Sequence, residues 1–178
     1  NQDKYTKNKK GHPEGSIFWG DTGRLRNGKG SPYEGGYRLP CIARWPGKVP
    51  AGRKSDAVFA TIDFMPTFAK LCGFKIPDDR KIDGVNQTDL LLGKSEKGRD
   101  TFYFDRAGIR KGKWKYLKAD AHFYGYARED DRPKEEELYN LKKDLEEKNN
   151  LAKKHPKILT ELRRLTESMP KDGPGGIR

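Results

Sequence analysis

The chain has 178 residues, of which 33% are hydrophobic and 36% are charged, so any folded core must be lean. Aromatic residues make up 11%, and because each buries a large area they favour a folded chain over a disordered one. The formal net charge of +12 suits nucleic acid and any other polyanion equally. Acidic clusters interrupt the basic residues, so charge alone selects no partner.

Cysteine content and hydropathy exclude two further classes of protein. Cys41 and Cys72 form neither a metal-ligand cluster nor a disulfide framework. A single bridge between them stays open, and two partly buried thiols are the expectation. There is no run of 18 apolar residues, so no membrane span is expected.

The first half of the chain is predicted to contain a long loop, one strand and one helix. Residues 1–37 are rich in Gly, Lys, Asn and Asp and read as loop. Residues 39–45 form a short apolar run that Pro40 limits to an edge strand or a strand start. A short helix ends before Gly73 and packs on that strand through one face. The residues of this face are Met65, Phe68, Ala69 and Cys72.

The second half is predicted to be a small antiparallel sheet followed by a helix. Residues 74–100 read as a connector, which places a domain boundary near residue 95, between units 1–95 and 96–178. Strands are expected at 101–104, 114–117 and 137–141, with a turn over 110–113. A terminal helix starts near Pro156, and its apolar residues recur at three- and four-residue spacing. They are Ile158, Leu159, Leu162, Leu165 and Met169.

Lys29 is the candidate for chemistry within the long loop. Gly28 and Gly30 flank it, so the backbone can approach a ligand closely and the ammonium can act as a compact point charge. From the residues alone, a solvated loop lysine is the ordinary interpretation.

A series of motifs, in order along the chain, resembles the sulfatase family. The stretch GKGSPYEGGYRLPCIARWPGKVPAG is similar to the family's segment around its second active-site lysine. SDAVFATIDFMPTFAKLCGFKIP and IDGVNQTDLLLG resemble the elements that follow it. RKGKWKYL and ELYNLKKDLEEKNNLAKKHPKI resemble the family's GKWK strand and its LY-x-L-x-x-D-x-x-E-x-x-N-L-A signature. Each motif alone is weak, but the ordered series is specific.

The resemblance implies a fold and a set of site residues. The fold is α/β or α+β: the end of the alkaline phosphatase-like sulfatase domain, then a small antiparallel sheet subdomain with a C-terminal helix. Lys29 matches the lysine that contacts the substrate sulfate, and Arg38 is expected in a structural ion pair. His12 lies in a stretch similar to the His-x-Glu-Gly that follows the family's metal-binding Asp-Asn pair, which makes it a substrate-binding candidate. Asn1 would be the Asn of that pair and a calcium ligand, although the preceding Asp is absent.

The chain departs from the family pattern in its nucleophile. Sulfatases use a formylglycine made from Cys or Ser in a C/S-x-P-x-R motif, and no cysteine or serine here fits that motif. The full-length parent would hold Ca²⁺ and formylglycine, whereas none is expected in this chain alone. We therefore expect a C-terminal portion of a sulfatase that is inactive without its N-terminal remainder.

The expected substrates are sulfated sugars, glycosaminoglycans or aryl sulfates, with no nucleic-acid partner and with export from the cytoplasm implied by the family. Two alternatives stay open. One is a non-catalytic polyanion-binding module that has kept the sulfatase tail. The other is a phosphate or phosphonate ester hydrolase of the same superfamily.

Overall fold

The computed structural model describes residues 21–104, 107–121 and 132–169. Within them lie four α-helices and four β-strands. The helices are α1 (Glu34–Tyr37), α2 (Phe64–Cys72), α3 (Thr88–Leu91) and α4 (Pro156–Glu167). The strands are β1 (Thr101–Tyr103), β2 (Gly108–Lys111), β3 (Trp114–Leu117) and β4 (Glu137–Asn140). Short 3-10 helices cover Thr61–Asp63 and Ala152–Lys154.

The four strands form one antiparallel sheet in the order β1-β2-β3-β4. The three predicted strands are confirmed, but β2 was not predicted. The expected turn over 110–113 was too wide, because Arg110 and Lys111 belong to β2 and only Gly112 and Lys113 make the turn. Gly112 has a φ of 54°, which glycine adopts without the steric penalty of a side chain.

Successive residues of a strand point to opposite faces, and here both faces are covered. On one face Ile109, Tyr116 and Leu138 pack with Leu162 of α4. The predicted packing of the sheet against the terminal helix is therefore confirmed, as is a helix starting at Pro156. On the other face lies a second apolar cluster, which joins the sheet to the loop before α1. It consists of Leu117, Tyr139, Leu141 and Tyr33.

Helix α2 ends as its sequence predicts, but it buries a different face. Gly73 follows the last residue with a φ of 73°, and its N–H bonds back to the carbonyl of Lys70. The predicted buried face is wrong, because Met65 and Phe68 are 45% and 50% exposed. The buried residues are Pro66 and Thr67 instead, and the Thr67 hydroxyl accepts a hydrogen bond from the N–H of Gln87 at 3.0 Å.

A buried carboxylate ties α2 to the connector. Asp63 accepts hydrogen bonds from the N–H groups of Ala60 at 2.9 Å and Val85 at 2.7 Å, and it forms an ion pair with Arg99. Burial alone would raise the pKa of Asp63, but these hydrogen bonds and the guanidinium lower it below the ordinary value. Only glycine fits at position 84 beside this group, because a side-chain carbon on Gly84 would lie 2.1 Å from the carbonyl oxygen of Ile62.

The predicted strand at 39–45 is wrong for the part of the chain that the structure describes. This segment pairs with no other described strand and is exposed throughout, with Leu39 at 73% and Ile42 at 94%. The expectation of partly buried thiols is also wrong, because Cys41 and Cys72 are both free and exposed. None of the helices in the described residues is long and apolar enough to cross a membrane.

Candidate functional site

Lys29 lies in a tight loop. The backbone conformation of this loop depends on the residues beside Lys29, two of which have positive φ. The N–H of Ser31 donates to the carbonyl of Gly28 at 3.0 Å, and Gly30 has a φ of 90°. Asn27 is also left-handed, with a φ of 56°, a conformation that Asn tolerates better than most residues. Lys29 itself is exposed, and no described residue forms a hydrogen bond or ion pair with its ammonium. Among the described residues, the loop therefore presents a cation without a charged partner.

Helix α1 packs directly on both flanks of this loop because two of its residues lack side chains. The N–H of Gly35 donates to the carbonyl of Arg26 at 2.9 Å. A side-chain carbon on Gly35 would lie 2.1 Å from the carbonyl oxygen of Asn27, and one on Gly36 would lie 2.2 Å from that of Ser31. Such distances are far inside van der Waals contact, so only glycine fits. This segment therefore shapes the turn that carries Lys29.

Arg26 anchors the start of the loop to the C-terminal half of the chain. Its guanidinium lies 3.6 Å from the centroid of the Tyr33 ring, a cation–π contact. The same group donates to the Tyr139 hydroxyl at 2.8 Å and to the carbonyl of Glu147 at 3.1 Å. Burial, together with the nearby Glu137, raises the pKa of both tyrosines, so they stay neutral phenols at physiological pH.

A buried network of three charges holds α1 itself. The Lys115 ammonium of β3 lies 2.9 Å from Glu34 Oε1 and 2.9 Å from Glu147 Oε1. Glu147 Oε2 also accepts a hydrogen bond from the backbone N–H of Glu34 at 2.6 Å. Lys115 is 0% exposed and Glu147 1%. Burial raises the pKa of Glu147, and the Lys115 ammonium opposes that rise. We call Glu34, Lys115 and Glu147 the charge triad.

Arg38 lies just after α1 and pairs with two carboxylates. Its guanidinium is 3.9 Å from Glu34 and 3.6 Å from Asp56. The expected structural ion pair of Arg38 is confirmed.

The other predicted site residues are not brought together with Lys29 in the described part of the chain. His12 and Asn1 lie outside the described residues. Among residues 21–104, 107–121 and 132–169, no three His, Cys, Asp or Glu side chains are grouped to hold a metal ion. Cys41 and Cys72 are exposed and lie in segments without the formylglycine motif. The described residues therefore fit neither calcium nor a formylglycine.

Sequence reasoning missed the charge triad. Lys115 sits in a strand between two aromatic residues, where alternation alone predicts a face but no partner. One signal was available: the YEGG, GKWK and D-x-x-E motifs each contain one member of the triad, two of them acidic and one basic. The order of the motifs does not say that these three residues meet.

Comparison with known proteins identifies the family of the chain. The family model described as N-sulphoglucosamine sulphohydrolase, C-terminal, matches residues 28–171. An N-acetylgalactosamine-6-O-sulfatase of Bacteroides thetaiotaomicron is 38% identical over 154 residues, which are 83% of this chain and 30% of that protein.

Two solved structures extend the likeness to the fold. One is a sulfatase structure whose description concerns the metabolism of multiple glycosaminoglycans by Bacteroides thetaiotaomicron. It has a TM-score of 0.68 at 34% identity, and the match covers 82% of this chain and 32% of that chain. Ps i-CgsB in complex with k-i-k-neocarrahexaose has a TM-score of 0.64 at 30% identity, covering 80% of this chain and 31% of its own. The chain thus spans about a third of the length of these relatives. It belongs to the N-sulphoglucosamine sulphohydrolase C-terminal family and is the C-terminal portion of a sulfatase.

Proposed function

We propose that the full-length protein containing this chain hydrolyses sulfate esters of sulfated sugars or glycosaminoglycans, and that Lys29 contacts the substrate sulfate. Two relatives support this substrate class: the one at 38% identity is an N-acetylgalactosamine-6-O-sulfatase, and a similar structure holds a neocarrahexaose. The net charge of +12 favours approach of a polyanion.

The observation that carries the proposal is the presentation of Lys29. Its ammonium is unpaired among the described residues, while the backbone on both sides of it is fixed by glycine packing and by Arg26. A cation that is held in place before substrate arrives stabilises developing negative charge without reorganising. In this role Lys29 neutralises charge on the oxygens of the transferring sulfuryl group. Sulfate hydrolysis needs a nucleophile and a metal as well, and the described residues offer neither.

The N-terminal remainder of the enzyme supplies those groups in this proposal. Several large apolar side chains of the first unit are exposed, with Ile42 at 94%, Leu39 at 73% and Phe74 at 73%. A surface that carries several exposed large apolar side chains is a candidate for contact with a partner. We propose that residues 1–95 complete the large α/β domain, that residues 96–178 form the small subdomain, and that formylglycine and calcium lie in the remainder. His12 as a substrate contact, Asn1 as a calcium ligand and export of the enzyme stay predictions.

Substitution of Lys29 tests the proposed role. In the full-length protein, Lys29→Ala should lower kcat for sulfate release from a sulfated saccharide about 100- to 1,000-fold, the loss found when one preorganised donor is removed. The matched control is Lys157→Ala, because Lys157 is exposed on α4, which covers the opposite face of the sheet. Wild-type kinetics from Lys29→Ala would remove Lys29 from the site.

The same assay distinguishes the alternatives. A polyanion-binding module would bind sulfated saccharides in a salt-dependent way and release no sulfate. A sister hydrolase would turn over phosphate or phosphonate esters in preference to sulfate esters. Either result would replace the proposed function.

A further inference from the structure

The charge triad is placed to control Lys29 from a distance. We propose that Lys115 is a positioning residue: from the C-terminal sheet it fixes α1, and α1 fixes the backbone that presents Lys29. This inference rests on the proposed function, in which Lys29 acts on substrate.

Burial of the charge triad has a cost in free energy. Burying three charges is expensive, and buried ion pairs can often be replaced by apolar residues of similar volume without loss of stability. Lys115 is 0% exposed, and its ammonium contacts the Glu34 and Glu147 carboxylates and lies 4.4 Å from the centroid of the Phe104 ring. The value of a buried ion-pair network can instead be that it fixes one arrangement of the surrounding residues. This network lies at the junction of the sheet with α1.

The charge triad holds α1 through Glu34. Glu34 is bound at two points: its carboxylate meets Lys115 at 2.9 Å, and its backbone N–H meets Glu147 at 2.6 Å. Contacts through both the side chain and the backbone restrain the rotation and the translation of Glu34. The first residue of α1 is therefore fixed on β3 and on the segment after β4.

Helix α1 is joined to the Lys29 loop through Gly35 and Gly36. Gly35 and Gly36 follow Glu34 directly, and their backbones touch those of Asn27, Gly28 and Ser31 with no room for a side-chain carbon. A shift of Glu34 therefore passes to the residues on either side of Lys29. Lys115 is fully buried, so it acts through this backbone and not by touching substrate. Displacements of about 1 Å in a catalytic group can cost about 100-fold in rate.

A double-mutant cycle in the full-length protein tests the coupling. Lys115→Met removes the ammonium and keeps most of the length of the side chain. It should lower kcat about 10- to 100-fold with KM little changed, because Lys29 acts on the transition state. In a Lys29→Ala background the same substitution should change kcat by less than about twofold, because the group being positioned is gone.

The control is a cation of the same subdomain that does not contact the loop. Arg163 of α4 donates to Glu136 at 2.6 Å, on the face of the sheet away from α1. Arg163→Met should change kcat by less than about twofold when it is added to the wild type and when it is added to Lys29→Ala. Folding of every variant is checked by thermal unfolding, and rates are measured well below the lowest Tm.

A second variant covers the case in which Lys115→Met does not fold. The pair Lys115→Met/Glu147→Gln removes one charge of each sign, and the glutamine oxygen can still accept from the N–H of Glu34. The same loss of kcat and the same dependence on Lys29 are expected from it. If neither variant folds, the triad holds the whole unit and the proposal is overturned.

The remaining outcomes separate the two proposals. Equal losses from Lys115→Met with and without Lys29 would assign the triad a purely structural role and leave the proposed function standing. Wild-type turnover from Lys115→Met would likewise overturn the positioning role alone. Wild-type turnover from Lys29→Ala would overturn both.

Discussion

Residues 39–99 and residues 101–169 differ in how far they bury their large apolar side chains. The exposed large apolar side chains of the described chain all lie in the first region, between Leu39 and Val85. Among the described residues of the second region, the large apolar side chains are buried or half-buried, with Ile109 and Leu138 at 0% exposure. The first region is held by a polar group, the buried Asp63 with its ion pair to Arg99. The second region therefore buries a core within the described residues, whereas the first leaves large apolar side chains exposed, which in our proposal the N-terminal remainder covers.

Removing Arg99 should give the largest effect and should break the first region alone. Arg99→Met leaves the Asp63 carboxylate buried without its cation, which costs about 3–5 kcal/mol in free energy of unfolding. Hydrogen exchange should show lost protection in residues 39–99 and retained protection in residues 101–169. Equal loss in both regions would contradict the division.

The effect of Arg99→Met on the free energy of unfolding should depend on pH, because the pKa of Asp63 is lowered while Arg99 is present. Because the pKa is lower in the folded state than in the unfolded state, Asp63 contributes stability that is fully present above its unfolded pKa. That contribution is lost as the pH falls through the folded pKa. The difference in free energy of unfolding between wild type and Arg99→Met should therefore shrink in acid. Urea unfolding at a series of pH values from neutral to acid measures it.

A matched pair of leucines sharpens the comparison. Leu162 is 2% exposed in the core beneath α4, so Leu162→Ala should cost about 2–5 kcal/mol in free energy of unfolding of this chain. Leu39 is 73% exposed, so the same change there should cost no more than about 0.5 kcal/mol. In the full-length protein the cost at Leu39 should rise if the remainder covers it. An unchanged small cost there would speak against that surface being covered.

A matched pair of glycines gives the smallest expected effect. Gly35→Ala places a carbon 2.1 Å from the carbonyl oxygen of Asn27, and overpacking of this kind costs about 1–3 kcal/mol. Gly23 has a φ of 60°, and a side-chain carbon there would meet nothing within 4 Å, so Gly23→Ala should cost about 1 kcal/mol. Turnover by the full-length protein should fall only for Gly35→Ala. A similar fall for Gly23→Ala would show that general loss of stability lowers the rate.

The sequence predicts the elements whose signals are local. Spacing of apolar residues places α4, and Gly73 places the end of α2. The strand β2 was missed because its four residues contain one large apolar side chain, Ile109, and so no alternation is visible. The strand expected over residues 39–45 does not form, because a strand needs a partner and none is present in the described residues.

The site could be predicted only in part for the same reason. Lys29 stands out between two glycines, and its motif identifies the family. The charge triad depends on contacts between residues far apart in sequence, such as Glu34 with Lys115, and no local pattern predicts them. The buried face of α2 was assigned wrongly because its apolar residues suit a surface that the described chain does not cover.

The hydrogen bond between Glu34 and Glu147 also has a consequence for biosynthesis. The two residues are 113 apart in sequence, so the segment around Lys29 leaves the ribosome long before its anchor exists. At ordinary rates of translation this interval is on the order of 6 to 20 seconds. Contacts between residues so distant in sequence form late, because the entropy of closing the loop must be overcome first. We therefore expect the Lys29 loop to be among the last parts of the chain to order.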